Sequence, residues 1–368
     1  MQCLVAINPN KKESIDYKDL GTVNFGPVQV VLGAVELEQP AFDSEEPNNR
    51  EYVLLRVNAF SCNYRDKSLL LVNYDQIINS DRLFVPFGSE FSADVIAIGA
   101  DVCDFQVGDR VMSNCSYPES GMKGVLPGVA TNFASLGWLR LHSKKLIKTP
   151  KTLSIIEAAC FSLGSQTASG MIRRSGILVD GGTPLVLSAR SATSLFIIQQ
   201  LISYGFNPLC LSTTDWNKSE IQRIYPARIE RIGNNAVLND VFRPKFTHAF
   251  DPFFDMNVGH ALNYLKTGGT YITCGMRDQH PLLSIDTPNN AEPIVRGALA
   301  QSIVKNVSIL GNCLGSTEDL ERAIRLQSRT GIGPIIDQEY KLIQGRDFIR
   351  RSFFDSNRFG KCVLVYEN

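Results

Sequence analysis

The sequence predicts an α/β chain of two domains, the first β-rich and barrel-like, the second a doubly wound parallel sheet. Three observations lead there. At 368 residues the chain exceeds the ~100–200 residues of a usual single domain. Up to about residue 150, short apolar runs are broken by Gly, Pro and Asp, the rhythm of strands and tight turns. Beyond residue 180, apolar strands alternate with helices, the rhythm of a parallel sheet covered on both faces.

Residues 43–50 are polar and acidic and predict a surface hairpin or loop. Glu51 to Ala59 alternates as a half-buried strand, and Ala93 to Ile98 is another. Gly108 and Asp109 form a turn into a strand at Val111, and Pro127, Gly128 and Gly137 punctuate the stretch up to residue 150. The rhythm changes at Ser154, a helix N-cap with Glu157 three residues on, the capping-box spacing. A second helical stretch covers about 165–175. Then come a strand at Pro184–Ser188, a helix at Thr193–Tyr204, a strand at Pro208–Ser212 and a helix near Lys218–Ile224. Further short strands are expected at 227–232, 248–251, 270–273 and 307–310, an amphipathic helix at Glu318–Arg329, and a terminal strand from Lys361 to Tyr366.

Composition narrows the function classes. Lys and Arg total 37 and so do Asp and Glu, so the basic excess of a nucleic-acid or anionic-membrane binder is missing. The start has no basic n-region, and no run approaches the ~18 apolar residues of a membrane helix. A cytoplasmic protein is expected, with no nucleic-acid or membrane partner. Nine cysteines without a CxxC pair are expected to be reduced and mostly buried. The four histidines, 142, 248, 260 and 280, are scattered and expected at the surface or in hydrogen bonds, not on a metal.

A dinucleotide fold needs a tight turn between its first strand and helix, where helix amides meet a pyrophosphate. Here that turn reads Ser188-Ala189-Arg190-Ser191-Ala192-Thr193-Ser194, with Ala189, Ser191 and Ser194 at the three positions of the GxGxxG signal. Small residues remain, but no glycine. A bare strand–helix turn would tolerate the same set.

Residues 85–111 (VPFGSEFSADVIAIGADVCDFQVGDRV) resemble the medium-chain dehydrogenase/reductase segment that runs from a proline through GHE or GxD to GDRV. More matches occur in the family's order: Asn63-Tyr64-Arg65-Asp66, residues 153–170, the strand–turn–helix at 184–204, Lys266 to Tyr271 before Gly275, residues 306–316 and Phe359 to Leu364. The resemblance covers nearly the whole chain from about residue 50. It implies a GroES-like catalytic domain over 1–155, completed by about 331–368, and a Rossmann domain over 156–330. It also implies a homodimer, through the strand at 307–310.

The departures from the family pattern are informative. Asn63 stands where the zinc-dependent branch places a ligating cysteine, with Cys62 one residue out. Ser89 replaces the histidine of GHE, the third ligand position falls near Leu163, and the lobe loop keeps only Cys115. No zinc is expected on such a set. An NAD enzyme generally carries Asp or Glu at the end of the second strand, about 20 residues after the turn. Ser212, Thr213 and Thr214 stand there, followed by Asp215 and Lys218. Hydroxyls and an ammonium suit a 2′-phosphate, and Arg190 adds positive charge, so NADPH is expected. A one-residue shift toward Asp215 would reverse that preference.

Zinc-free relatives typically reduce C=C bonds conjugated to a carbonyl. Hydride addition there gives an enolate, which hydrogen bonds stabilise and one proton donor quenches. The resemblance therefore implies a reductase of an enone, quinone, enoyl or dehydroamino-acid substrate, a small molecule or natural product. Tyr74, eight residues after Asp66, is the expected proton donor and Tyr64 its rival; each could instead be a half-buried aromatic with its hydroxyl on the backbone. Asn63 is expected at the nicotinamide ribose or substrate carbonyl and Thr167 near the nicotinamide. Glu90 is expected to be a structural acceptor, and loops at 72–84 and 114–136 to line the pocket. Two other classes stay open: a zinc-independent alcohol or carbonyl dehydrogenase, and a nucleotide-binding relative without catalysis, which the missing glycines favour.

Overall fold

The computed structural model describes residues 1–232, 245–276 and 291–367. The chain divides into two compact units, one of residues 1–163 with 336–368, the other of residues 164–335.

The first unit starts with three strands where the sequence suggested only a mixed segment: β1 (Gln2–Ile7), β2 (Lys18–Phe25) and β3 (Val28–Glu36). Then come β4 (Tyr52–Ser61), α1 (Tyr64–Ile78), β5 (Phe84–Val85), β6 (Glu90–Ile98), β7 (Arg110–Ser113), β8 (Trp138–His142) and β9 (Leu146–Lys148). Residues 72–78, expected as a pocket-lining loop, are the end of α1. A short helix α2 (Ile155–Ala158) comes next, its capping box closed as the spacing predicts. Ser154 Oγ accepts from the Glu157 N–H at 3.2 Å, and the Glu157 carboxylate accepts from the Ser154 N–H at 2.9 Å.

The helix α3 (Ser162–Ser175) leads into the second unit, which continues with α4 (Ile177–Asp180), β10 (Pro184–Val186), α5 (Ala192–Ser203), β11 (Leu209–Ser212), α6 (Lys218–Arg223) and β12 (Arg228–Arg231). Next come β13 (Phe246–Asp251), α7 (Phe254–Tyr264), β14 (Leu265–Thr273), α8 (Ala291–Lys305), β15 (Ser308–Gly311) and α9 (Thr317–Thr330). The six strands pair in the order β12-β11-β10-β13-β14-β15, all parallel. This is the doubly wound α/β sheet the alternation predicts. Leu185, Leu209, Ala249, Leu262 and Tyr271 are among its buried core residues. The strand order reverses between β10 and β13, the topological switch point where such sheets bind ligands at the carboxyl ends of the strands.

The chain then returns to the first unit through β16 (Ile336–Lys341), α10 (Gly345–Phe353) and β17 (Lys361–Val365). β17 enters a seven-stranded sheet ordered β16-β17-β4-β6-β7-β9 with β8 beside β4, next to a four-stranded sheet ordered β2-β3-β1-β5. Register brings polar residues of three strands together. Val363 pairs with Ser61 on β4, and Ser61 pairs with Glu90 on β6, so the start of β17 lies over the turn from β4 into α1. Gly88, at φ +92°, makes the bend into β6; a Cβ there would meet the Phe60 ring at 3.0 Å.

Candidate functional site

The first unit gathers a buried polar cluster where β4 ends, α1 begins and β17 returns. Asn63 precedes α1 with extended backbone, and its N–H is accepted by the Asp66 carboxylate at 2.8 Å. Helix α1 starts there for that reason, leaving the Asn63 side chain turned into the cluster. Its amide donates to Ser89 Oγ and to Glu90 Oε2, each at 3.3 Å, and its Oδ1 accepts from Lys361 Nζ at 2.7 Å. Ser89 Oγ in turn donates to Asp66 at 2.8 Å.

Glu90 and Lys361 form the centre. Their ion pair is 2.9 Å long between side chains 0% and 2% exposed. Glu90 also accepts from Ser61 Oγ at 3.1 Å and from the Leu163 N–H at 2.7 Å. Lys361 reaches Ser61 Oγ and the Cys62 carbonyl, each at 3.4 Å. Every polar atom of the pair therefore has a partner, the condition under which a buried charge is tolerated. Burial pushes the Asp66 carboxyl above the usual carboxylate range, opposed by Arg65, the Asn63 N–H, Ser89 and Lys361. Glu90 is the structural acceptor the sequence leads one to expect, whereas the role of Lys361 was not foreseen.

The cluster has no donor set for a catalytic zinc. The three ligand positions hold an amide (Asn63), a hydroxyl (Ser89) and an aliphatic side chain (Leu163), and an ammonium lies among them. The Cys62 thiol is buried and pushed well above its ordinary pKa, mainly by desolvation. Among the described residues no group of three or more His, Cys, Asp and Glu side chains converges. His248 is buried, with Nε2 on the Ser175 carbonyl and Nδ1 beside Thr247 Oγ1, and His142 Nδ1 accepts from the Lys144 N–H. His260 is exposed, and His280 lies outside the described residues.

The two candidate tyrosines occupy opposite situations on one helix. Tyr74 is 1% exposed, and its hydroxyl accepts from the Val31 N–H at 3.2 Å inside the β-rich core. Burial pushes its pKa up. Tyr74, the expected proton donor, thus has its phenol buried on a backbone amide of β3, the alternative the sequence also allowed. Tyr64 opens α1 beside Asn63, half-buried, with the Lys67 ammonium 5.4 Å from its ring centroid. It directly follows Asn63 of the polar cluster in the chain.

In the second unit the turn after β10 is shaped by serines. Ser188 adopts φ +47°, a left-handed conformation unusual for a side-chain-bearing residue. Asn257 donates to Ser188 Oγ at 3.1 Å and to Asp251 Oδ1 at 2.8 Å, linking the turn to the buried end of β13. Ser191 caps α5 by accepting from the Ser194 N–H at 3.1 Å, and Ser194 Oγ is buried on the Leu187 carbonyl at 2.8 Å. Ala189 is fully buried, while Ala192 and Thr193 are half-buried on the first turn of α5. The turn thus presents a helix N-terminus at the switch point, which fits the phosphates of a dinucleotide.

Arg190 differs from expectation. Its guanidinium does not stand as a lone positive charge: Nη2 and Nη1 donate to the two Glu220 oxygens at 2.5 and 3.1 Å, and Nη1 also donates to the Asp215 carbonyl. The guanidinium lies 5.5 Å from the Trp216 ring centroid. Of the other expected cofactor residues, Ser212 has its hydroxyl between the Thr214 carbonyl and Trp216 Nε1. Thr213 and Lys218 are exposed and Thr214 is half-buried. Asp215 pairs with Arg231 at the surface. Thr167 is buried on α3, and the Gly275 carbonyl accepts from the Phe254 N–H beyond β14. Glu220 escaped the sequence reading because its spacing from Asn217 also makes it a capping-box residue of α6, which it is, with Oε2 on the Asn217 N–H at 2.9 Å.

Comparison with known proteins agrees with this architecture. Residues 49–150 match the alcohol dehydrogenase GroES-like domain family. The chain is 21% identical over 336 residues to an acryloyl-coenzyme A reductase of Metallosphaera sedula, covering 85% of this chain and 92% of that protein. It is 23% identical over 342 residues to a mitochondrial NAD(P)H oxidoreductase of Dictyostelium discoideum, covering 86% and 91%. A solved structure of the 2-octenoyl-CoA carboxylase reductase CinF, in complex with NADP and 2-octenoyl-CoA, superposes with a TM-score of 0.71 at 19% identity, covering 99% of this chain and 87% of that one. Residues 49–150 accordingly match a GroES-like domain, and the chain as a whole shares the fold of these solved structures.

Proposed function

We propose that this protein is a reductase that uses NADPH to reduce a C=C bond conjugated to a carbonyl, of the enone, quinone, enoyl or dehydroamino-acid type, without zinc. The observation that carries the reading is the polar cluster itself. Where a Lewis acid would need soft or imidazole donors, this chain places an amide, a hydroxyl and a buried Lys361–Glu90 pair. Such a set cannot polarise a simple ketone through a metal, but hydrogen-bond donors suffice for an enolate. The cofactor, when bound, would supply the hydride. Asn63 is then the candidate donor to the substrate oxygen and Tyr64 the candidate acid for the adjacent carbon.

The names of the relatives support the same class: one is an acryloyl-coenzyme A reductase, and another binds NADP with 2-octenoyl-CoA. Preference for the phosphorylated cofactor rests on exposed Thr213 and Lys218, with Arg190 nearby but paired. Thr167 and the backbone around Gly275 are proposed at the nicotinamide. The chain is further proposed to act as a homodimer through the edge strand β15. Leu299, Ile303 and Val304 on the preceding α8 are 54%, 76% and 82% exposed, an apolar strip suited to a second copy.

A second reading has its own observation. The turn lacks glycine, and Ser194 and Arg190 are both engaged internally, as they could be in a relative that binds nucleotide without catalysis. One experiment separates the readings: NADPH and NADH oxidation against quinones, enones, enoyl thioesters and simple ketones. Turnover of activated alkenes alone is the expected result. Turnover of ketones alone would make the protein a carbonyl dehydrogenase. Dinucleotide binding with no turnover across the panel would favour the non-catalytic relative.

A further inference from the structure

We propose that Glu220 is a specificity-determining residue for the cofactor: it holds Arg190 in a two-bond ion pair, and a 2′-phosphate on the adenosine ribose gains the guanidinium only by taking it from that carboxylate. This rests on the reading that the Ser188–Ser194 turn binds a nicotinamide dinucleotide.

The placement comes from the sheet. Arg190 lies on the turn after β10, and Glu220 on the first turn of the helix after β11; the two strands are adjacent and parallel, with Leu185 opposite Leu209 and Val186 opposite Cys210. Both residues therefore sit at the carboxyl edge of the sheet, beside the switch point. A ribose-binding carboxylate is expected about 20 residues after the turn, at the end of the second strand. Ser212 stands there, its hydroxyl held by Thr214 and Trp216. Glu220 instead reaches the Arg190 guanidinium from α6.

The pair is built, not incidental. Its side chains are 12% and 14% exposed, the bonds are 2.5 and 3.1 Å, and Trp216 covers one side of the guanidinium. Glu220 is fixed independently by the Asn217 N–H at 2.9 Å, and Arg190 by the Asp215 carbonyl at 3.1 Å. Geometry of this kind matches a guanidinium to a carboxylate or a phosphate equally well. A phosphate entering beside Arg190 meets the negative charge of Glu220 unless the pair opens. Affinity for NADPH is thus lower than Arg190 alone would give, while NADH, which carries a hydroxyl at that carbon, is indifferent to the pair.

The test is fluorescence titration of NADPH and NADH on the full-length protein and two variants. Glu220→Gln keeps the length and the capping acceptor but removes the charge. It is expected to tighten NADPH about tenfold and leave NADH within about twofold. Arg190→Gln is expected to weaken NADPH about tenfold and leave NADH unchanged. An unchanged NADPH-to-NADH ratio in a folded Glu220→Gln protein overturns the proposal, as does weaker NADH binding, which would make Glu220 the ribose acceptor. If Glu220→Gln does not fold, an unchanged ratio in Arg190→Gln overturns it instead. Failure of the unmutated protein to bind either dinucleotide removes the underlying reading, an outcome distinct from an unaltered ratio.

Discussion

Two fully buried carboxylates stand at strand ends, Glu90 in the first unit and Asp251 in the second, and they are satisfied in different ways. Glu90 meets an ammonium, a hydroxyl, an amide and a backbone N–H. The donors facing Asp251 are all neutral: the Tyr271 hydroxyl at 2.5 Å, the Asn257 amide at 2.8 Å and the Phe253 N–H at 2.9 Å. Burial, only partly offset by those bonds, pushes the Asp251 carboxyl up to about 6. A buried acid given a cation becomes dependent on that partner. A buried acid given neutral donors becomes dependent on pH.

Breaking the first arrangement is expected to have the largest effect. Lys361→Met leaves Glu90 buried without its cation, which typically costs about 3–5 kcal/mol. For a unit of this size that lowers the melting temperature by roughly 2–4 °C per kcal/mol. The double variant Lys361→Met with Glu90→Gln removes both charges and is expected to recover most of the loss. A single variant as stable as the unmutated protein, measured by denaturant unfolding, would break the contrast.

The second arrangement predicts a pH slope. The folded pKa of Asp251, about 6, lies above the ~3.9 of an unfolded aspartate. Its contribution to stability is therefore fully present below about pH 4 and is lost as pH rises through 6, by up to about 3 kcal/mol. Asp251→Asn keeps an acceptor for Tyr271 but cannot ionise. Its stability relative to the unmutated protein is expected to improve by that amount between pH 4 and pH 7, read from urea midpoints. A difference that stays constant over this range would show that Asp251 does not take up a proton. Asn257 bridges Asp251 to Ser188 on the turn between β10 and α5.

The contrast also shows what the sequence could and could not reveal. Local signals were legible: the capping box at Ser154, the β10–α5 turn and the alternation that builds the parallel sheet all depend on residues a few positions apart. The Lys361–Glu90 pair was not, because its partners are 271 residues apart and meet only through the β17–β4–β6 register. Arg190 was legible as a cation at the turn, but its neutralisation depends on a residue 30 positions on whose capping role masks it. The burial of Tyr74 was legible too. Lys67, Leu70, Leu71, Tyr74 and Ile77 are buried and recur at helical spacing, so the periodicity of 64–78 already puts Tyr74 on a core-facing stripe.

The tyrosines of α1 carry the contrast to single hydroxyls. Tyr64→Phe removes the phenol of the residue that follows Asn63 and is expected to slow reduction of an activated alkene by about 10²-fold or more, equivalent to roughly 2.7 kcal/mol of barrier. Its melting temperature is expected to stay within about a degree, since the side chain is only half-buried. Full turnover by this variant would remove Tyr64 from the reaction.

Tyr74→Phe has the smallest expected effect, and of a different kind. The ring stays buried, so no cavity opens, and only the acceptor for the Val31 N–H at 3.2 Å is lost. A buried amide deprived of its partner costs about 1 kcal/mol or somewhat more. Val31 already pairs with Ile7 and Thr22 on either side in its sheet, which limits relaxation of the strand toward another acceptor. The loss should therefore appear as a lower denaturation midpoint with turnover and NADPH affinity unchanged. A Tyr74→Phe protein of full stability and at least tenfold slower turnover would return this residue to the chemistry and displace Tyr64.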